Sequence, residues 1–272
     1  MKVKLLGTGA AEGIPAFCCN CSVCVQAELK GGKEIRRRSG TLIDDDMLIE
    51  FSPDIYMHRI NNKLDFMKLR SIILSHSHSD HLNGRDLSML IAPVFAIREP
   101  YPIYFYGNES VKQHYDSVKS SSFEQQLPFV LLEEGKEVQV GNKTVLPLKA
   151  DHDHSQKCFV FIISDGKKTI LYGHDSGYYP ESTWAALKKH KLDLAILDSV
   201  CGITSDSRHG HMGFITDIEV KKRMLEEGIC DKNTRFVITH FSHNGHSTHS
   251  MLEAEGVKYG LEPAFDGMDI FL

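Results

Sequence analysis

The segment Ser75-His76-Ser77-His78-Ser79-Asp80-His81 sets three imidazoles and a carboxylate within six positions, directly after the apolar run Ile72-Ile73-Leu74. Imidazole and carboxylate together suit zinc, manganese or iron at a centre for oxygen chemistry. Neighbouring side chains on one short loop cannot all reach a single ion, so His-x-His-x-Asp-His points to two adjacent metals. Two metals need about seven or eight protein ligands, with positions left open for water. Further candidates stand in Asp151-His152-Asp153-His154, where spacing does not choose between His152 and His154. Asp175, in Gly173-His174-Asp175-Ser176-Gly177, is a candidate bridge, and His240 closes the set. Such a centre activates water at neutral pH and needs no serine or cysteine nucleophile. A phosphodiester suits it, and its leaving alkoxide then requires a proton, for which the histidines of His209-Gly210-His211-Met212 are candidates.

A second cluster has softer chemistry. Cys18, Cys19, Cys21 and Cys24 fall within seven positions. In a reducing compartment that density favours metal thiolates over disulfides. Cys19-Asn20-Cys21-Ser22-Val23-Cys24 offers three thiolates with room for a fourth ligand, the pattern of a closed structural zinc site. Cys18 offers another register, and His246 and His249 are other histidines that could serve it. Cys158, Cys201 and Cys230 are scattered and read as buried apolar filler. Arg36, Arg37 and Arg38 read as a solvated basic face, with a terminal phosphate of the substrate as the alternative partner.

The elements that must hold these residues follow from the apolar runs. Val3 to Leu6 is a strand entering Gly7-Thr8-Gly9, a turn expected to need glycine at positive φ. Thr41–Ile43 and Met47–Ile49 flank Asp44-Asp45-Asp46 as one hairpin, and Phe159–Ile163 and Thr169–Tyr172 flank Asp165-Gly166 as another. Strands are expected at 71–74, 101–106, 192–197, 235–239 and 268–271. Helices are expected after Pro53 and near 109–119, 181–190, 216–228 and 247–256. Several apolar runs end in a ligand-capable residue, at His76, His174-Asp175, Asp198 and His240. Sites in α/β sheets gather where strand carboxyl ends open into loops, so both halves of the chain are expected to build one composite site.

The bulk figures exclude other classes. The 272 residues are 42% hydrophobic and 25% charged, an ordinary globular composition. A net charge of −5 gives no general attraction to nucleic acid. No run approaches the roughly 18 apolar residues of a membrane span. The start, Met1 to Gly7, lacks the apolar core of a signal peptide, so a cytoplasmic location is the expectation. No linker or low-complexity tract marks a boundary, and a single domain over 1–272 is expected.

The order His76-x-His78-x-Asp80-His81, His154, Asp175, His240 resembles the metallo-β-lactamase-fold hydrolases. The likeness is greatest to the phosphodiesterases accessory to carbon–phosphorus lyase, the PhnP family. It extends to Gly7-Thr8-Gly9-Ala10-Ala11-Glu12-Gly13-Ile14-Pro15-Ala16, the cysteine loop, Thr239-His240-Phe241-Ser242-His243 and Phe265-Asp266-Gly267-Met268-Asp269-Ile270. The resemblance implies an α/β αββα four-layer sandwich with two divalent ions, zinc or manganese. It assigns His76, His78 and His154 to the first ion, and Asp80, His81 and His240 to the second. Asp175 would bridge them, and Asp80 would be indispensable for turnover. It selects His154 over His152, favours His211 over His209 as the acid, and points to His243 as fourth ligand of a structural zinc with Cys19, Cys21 and Cys24.

Many relatives read Ile-Asp-Ala-Gly where this chain has Ile49-Glu50-Phe51-Ser52, which puts the support of the histidine loop in question. The implied activity is hydrolysis of a small cyclic phosphate or nucleotide-like diester, with cyclic ribose phosphates as the class suggested. A homodimer is reasonable, and neither a membrane nor nucleic acid is an expected partner. The alternatives are a transfer-RNA 3′-processing endonuclease, disfavoured by charge, and a non-hydrolytic protein of pyrroloquinoline quinone biosynthesis, disfavoured by the full ligand set.

Overall fold

Short strands with alternating burial partners set the architecture. In the first half, Ile43, Met47, Ile49 and Ile73 join one buried cluster, while their neighbours Leu42, Leu48, Ile72 and Leu74 join another. A strand whose successive side chains face opposite ways, both apolar, must be covered on both faces. Each such side chain contributes roughly 1.5–3 kcal/mol on full burial.

The computed structural model describes residues 1–93, 95–97 and 101–272. One seven-stranded sheet contains β1 (Lys2–Gly7), β2 (Gly40–Ile43), β3 (Met47–Ile49), β4 (Ser71–Ile73), β5 (Tyr104–Gly107) and β6 (Phe129–Leu131). The other contains β7 (Val138–Val140), β8 (Lys143–Lys149), β9 (Phe159–Ser164), β10 (Thr169–Gly173), β11 (Leu194–Asp198), β12 (Arg235–Thr239) and β13 (Glu262–Pro263). The chain then returns, and β14 (Met268–Phe271) pairs antiparallel with β1 at the edge of the first sheet. β3, β4, β5 and β6 run parallel, as do β10, β11, β12 and β13.

The helices are α1 (Ser22–Lys30), α2 (Ile55–Asn61), α3 (Glu109–Val118), α4 (Ser121–Gln126), α5 (Glu181–Leu187), α6 (Phe214–Glu226) and α7 (His249–Tyr259). Ile55, Val111, Tyr115 and Phe123 of α2, α3 and α4 cover the outer face of the first sheet. Trp184, Leu187, Phe214, Val220, Met224 and Leu252 of α5, α6 and α7 pack with the second. This is the expected four-layer order. No helix among the described residues is long and apolar enough to cross a membrane.

Both expected hairpins are present, β2–β3 and β9–β10. The expectation for Gly7 and Gly9 is corrected, because neither has positive φ. A Cβ on Gly7 would lie 1.9 Å from the Arg38 carbonyl oxygen, so close approach is what requires glycine there. β8 was hidden by Pro147, a residue that usually argues against an interior strand.

Candidate dinuclear metal centre

The carboxyl ends of β3, β4, β10, β11 and β12 open toward one another. Glu50 follows β3, the histidine loop follows β4, Asp175 lies just past β10, Asp198 ends β11 and His240 follows β12. Glu50, Asp175 and His240 have φ of 65°, 57° and 62°. Non-glycine residues seldom occupy this left-handed region, and such strain gathers at functional sites.

Two donor groups meet there. In the first, His76 Nε2 lies 2.9 Å from His78 Nδ1, and His152 Nε2 lies 3.1 Å from the same atom. Asp175 Oδ2 is 3.2 Å from His76 Nε2. In the second, His81 Nε2 lies 3.2 Å from Asp80 Oδ2 and 2.9 Å from Asp175 Oδ2. His240 Nε2 is 3.3 Å from Asp175 Oδ1 and 4.0 Å from Asp80 Oδ2. Asp175 therefore belongs to both groups. Burial would push its carboxyl up, but His240, His76 and His81 outweigh this and hold it well below the usual range.

The donor set fits divalent cations on two counts. His81 Nε2 and Asp175 Oδ1 are buried without a hydrogen-bond partner, an expensive state unless something else meets them. The outward nitrogens of His76, His78, His152 and His240, by contrast, have hydrogen-bond partners. His76 Nδ1 pairs with Ser75 Oγ at 2.9 Å, His78 Nε2 with Asp153 Oδ2 at 3.1 Å, and His152 Nδ1 with the Gly210 carbonyl at 3.0 Å. His240 Nδ1 pairs with Ser39 Oγ at 3.1 Å, while His81 Nδ1 makes no hydrogen bond and has Glu50 Oε1 at an ion-pair distance of 3.4 Å. Such outer contacts fix ring orientation and leave the inner nitrogen for coordination.

Three expectations are corrected by this geometry. His154 is outside the cluster, with its side chain 87% exposed, and His152 stands in its place. Asp153, between them, turns back to bind His78, Ser155 and Gln156, and that turn sends His154 to the surface. Arg36, Arg37 and Arg38 form neither a solvated face nor a phosphate site. Arg36 is buried, donates to Thr8 Oγ1 and the Ala264 carbonyl, and stacks 4.0 Å from the Phe241 ring. Arg37 pairs with Asp266 and Arg38 with both oxygens of Asp54. Finally, the departure at Glu50 leaves the loop supported, since the buried carboxylate reaches both His81 Nδ1 and, at 3.4 Å, the Ser75 N–H.

His211, rather than the 94% exposed His209, comes to the centre. Its Nδ1 lies 2.9 Å from Asp198 Oδ2 and 3.4 Å from Asp175 Oδ1. Burial would lower its pKa, but Asp198 and its hydrogen bond overcome this and hold it up to about 9. Asp198 in turn accepts the N–H groups of Asp175, Val200 and Met212. Its position at the end of an apolar strand was visible in the sequence, but its role was not. His174, visible in the sequence beside Asp175, packs behind the centre: its ring stacks on His240 at 5.1 Å and its Nε2 meets the Tyr172 hydroxyl. The cleft over the centre has a volume of about 310 Å³, and Ala10, Ala11, Glu12, Val200, Ser242 and Asn244 form the rest of its wall.

The cysteine loop meets the far side of the β12 loop. Cys19 Sγ and Cys21 Sγ lie 3.4 and 3.5 Å from His243 Nδ1, and Cys24 completes the group. Tetrahedral zinc with ordinary Zn–S and Zn–N bonds spaces sulfur and nitrogen about 3.5 Å apart, so the donors match. Cys21 caps α1, and the Cys24 N–H holds its thiol down to about 6, while burial pushes Cys24 up to about 12. Cys18 is exposed and outside the group. His249 is turned to Arg36 instead, and His246 is not part of the group.

Residues 47–241 match the family model of the beta-lactamase superfamily domain, and the chain belongs to that superfamily, with the metallo-β-lactamase hydrolase fold. That fold implies divalent metal ions. The chain is 23% identical over 195 residues to the probable metallo-hydrolase YhfI of Bacillus subtilis, covering 71% of this chain and 74% of that protein. It is 36% identical over 90 residues to an octanoyltransferase of Porphyromonas gingivalis, a match to 32% of this chain and 17% of that one. It is 27% identical over 124 residues to coenzyme PQQ synthesis protein B of Methylobacterium radiotolerans, 41% and 38% of the two chains. The chain thus spans well under half the length of these last two relatives. Among solved structures, a diphosphatase from the PhnP family superposes with a TM-score of 0.77 at 19% identity, covering 100% of this chain and 97% of that one, a likeness of fold.

Proposed function

We propose that the protein is a metal-dependent phosphodiesterase acting on a small cyclic phosphate or nucleotide-like diester. The observation that carries the reading is the shared Asp175 carboxylate between two His/Asp donor groups, with His211 held beside it by Asp198. In this reading His76, His78 and His152 would hold one ion, Asp80, His81 and His240 would hold the other, and Asp175 would be available to both. Bound there, two zinc or manganese ions supply Lewis acidity and bring the pKa of water down to near neutrality.

The chain supplies the remaining work. His211 lines the cleft with Nδ1 committed to Asp198, so Nε2 is the nitrogen left to give a proton to the leaving alkoxide. Asp198 orients that ring and, through the Asp175 N–H, ties it to the bridge position. Glu50, Asp153, Ser39 and Ser75 hold the ligand rings. Cys19, Cys21, Cys24 and His243 would hold a structural zinc, which would pin the N-terminal loop against the β12 loop. The octanoyltransferase match, confined to a small part of that protein, lends no support to acyl transfer here. Transfer-RNA processing is disfavoured because no lysine or arginine among the described residues lines the cleft.

The test is turnover of bis(p-nitrophenyl) phosphate by metal-stripped protein reloaded with manganese, alongside Asp80→Ala. Turnover by the parent and none by a folded Asp80→Ala variant is expected. A parent that binds two metals yet turns over no phosphodiester refutes the reading.

A further inference from the structure

The cleft wall beside the β12 loop carries a carboxylate, Glu12. Glu12 lines the same cleft as His78, His152, His211 and His240, and its side chain is 30% exposed. Its Oε1 accepts the Ser242 hydroxyl and lies 3.7 Å from His243 Nε2. Ser242 and His243 follow directly on His240, and His243 Nδ1 faces the cysteine sulfurs. With Nδ1 so directed, Nε2 faces Glu12. The Ser242 hydroxyl therefore anchors the carboxylate through Oε1, and among the described residues no hydrogen bond or ion pair engages Oε2.

The rest of the wall is small or neutral: Ala10, Ala11, Val200, Ser242 and Asn244. Among the described residues no lysine or arginine lines it. Arg36, Arg37 and Arg38, the nearest basic run in sequence, are spent on Thr8, Asp266 and Asp54. A volume of about 310 Å³ lies at the lower end for small-molecule sites.

Resting on the phosphodiesterase reading, the geometry points to Glu12 as a specificity-determining residue that selects diesters bearing a single negative charge. The diester's own charge meets the centre. The alcohol portion must then lie along a wall whose one charged group is Glu12. An alcohol that offers hydroxyl or ammonium donors finds an acceptor at Oε2. An alcohol that carries a second phosphate finds like charge on that wall and, among the described residues, no lysine or arginine there to offset it.

A matched pair of substrates reads this directly: the p-nitrophenyl ester of thymidine 5′-phosphate, and the same ester carrying a further 3′-phosphate. The parent is expected to favour the first by at least roughly tenfold in kcat/KM, the scale of one like-charge contact at moderate effective dielectric. Glu12→Gln, which keeps the Ser242 contact, should shrink the preference, and Glu12→Lys should invert it. Calorimetric Kd values for the products, thymidine 5′-phosphate and thymidine 3′,5′-bisphosphate, should move in the same way. Zinc content and melting of each variant are measured together with this; if Glu12→Lys loses zinc, the Gln variant alone decides. Equal turnover of both esters by the parent, or a ratio unchanged in Glu12→Gln, overturns the inference while leaving the phosphodiesterase intact. A metal-loaded parent inert toward these esters and bis(p-nitrophenyl) phosphate overturns both.

Discussion

Replacing Glu50 with the aspartate that many relatives carry nearby should weaken the centre. The carboxylate sits 3.4 Å from His81 Nδ1, and both side chains are fully buried. Asp80 and Glu50 together overcome burial and hold the His81 imidazole well above its usual range. Glu50→Asp withdraws the carboxylate by one methylene, about 1.5 Å. The separation then approaches roughly 5 Å, and the direct ion-pair contact is lost. Losing a contact of this kind behind a metal-binding histidine costs about 10- to 100-fold in metal affinity, or ~1.4–2.7 kcal/mol. Glu50→Gln keeps the reach but loses the charge, and should fall in the same range.

The assay is competitive titration of the metal-stripped protein against a chromophoric chelator, with thermal melting recorded in parallel. Two active-site equivalents are expected for the parent, with one weakened and the other nearly unchanged in the variant. Melting separates this from simple destabilisation, because a lost methylene costs only about 1 kcal/mol. Unchanged affinity at both equivalents in Glu50→Asp would refute the assignment of Glu50 as the support of His81.

His152→Ala should remove one metal equivalent and abolish turnover, while His154→Ala, at the surface, should change neither; metal analysis with the bis(p-nitrophenyl) phosphate assay separates them. His211→Ala should lower kcat by roughly 10²–10⁴ on an alkyl diester and far less on a p-nitrophenyl one, whose leaving group needs no proton; equal losses on both would exclude the general-acid role. Cys21→Ser should lose one zinc per chain and lower Tm by about 5 °C or more, corresponding to roughly 2 kcal/mol at this size; unchanged zinc content would remove the structural site. His58 is fully buried, and burial holds its pKa down to about 4 against a usual 6.5. It stays neutral when folded, so its contribution is complete above pH 6.5 and is lost as pH falls toward 4, a span of roughly 3 kcal/mol. The fall in Tm across that window should therefore be shallower in His58→Gln, and an identical slope would contradict the burial argument.

What could be read from the sequence was what neighbouring residues decide together. His76, His78, Asp80 and His81 share one loop after one strand, so their convergence follows from local geometry. The ends of β10, β11 and β12 show the same pattern, an apolar run closing on His or Asp. Where the outcome depends on distant partners, the sequence was silent or misleading. His152 and His154 are two apart in one turn, and what separates them is Asp153 bonding His78, 75 positions away. Arg36 to Arg38 look like a solvated run because their partners Thr8, Asp54 and Asp266 lie elsewhere in the chain, Asp266 at a separation of 229 from Arg37. Glu50 looked like a loss of support because a one-methylene change alters reach, and reach has meaning only once His81 is placed. Spacing shows which groups can ligate, and the long-range hydrogen bonds decide which of them do.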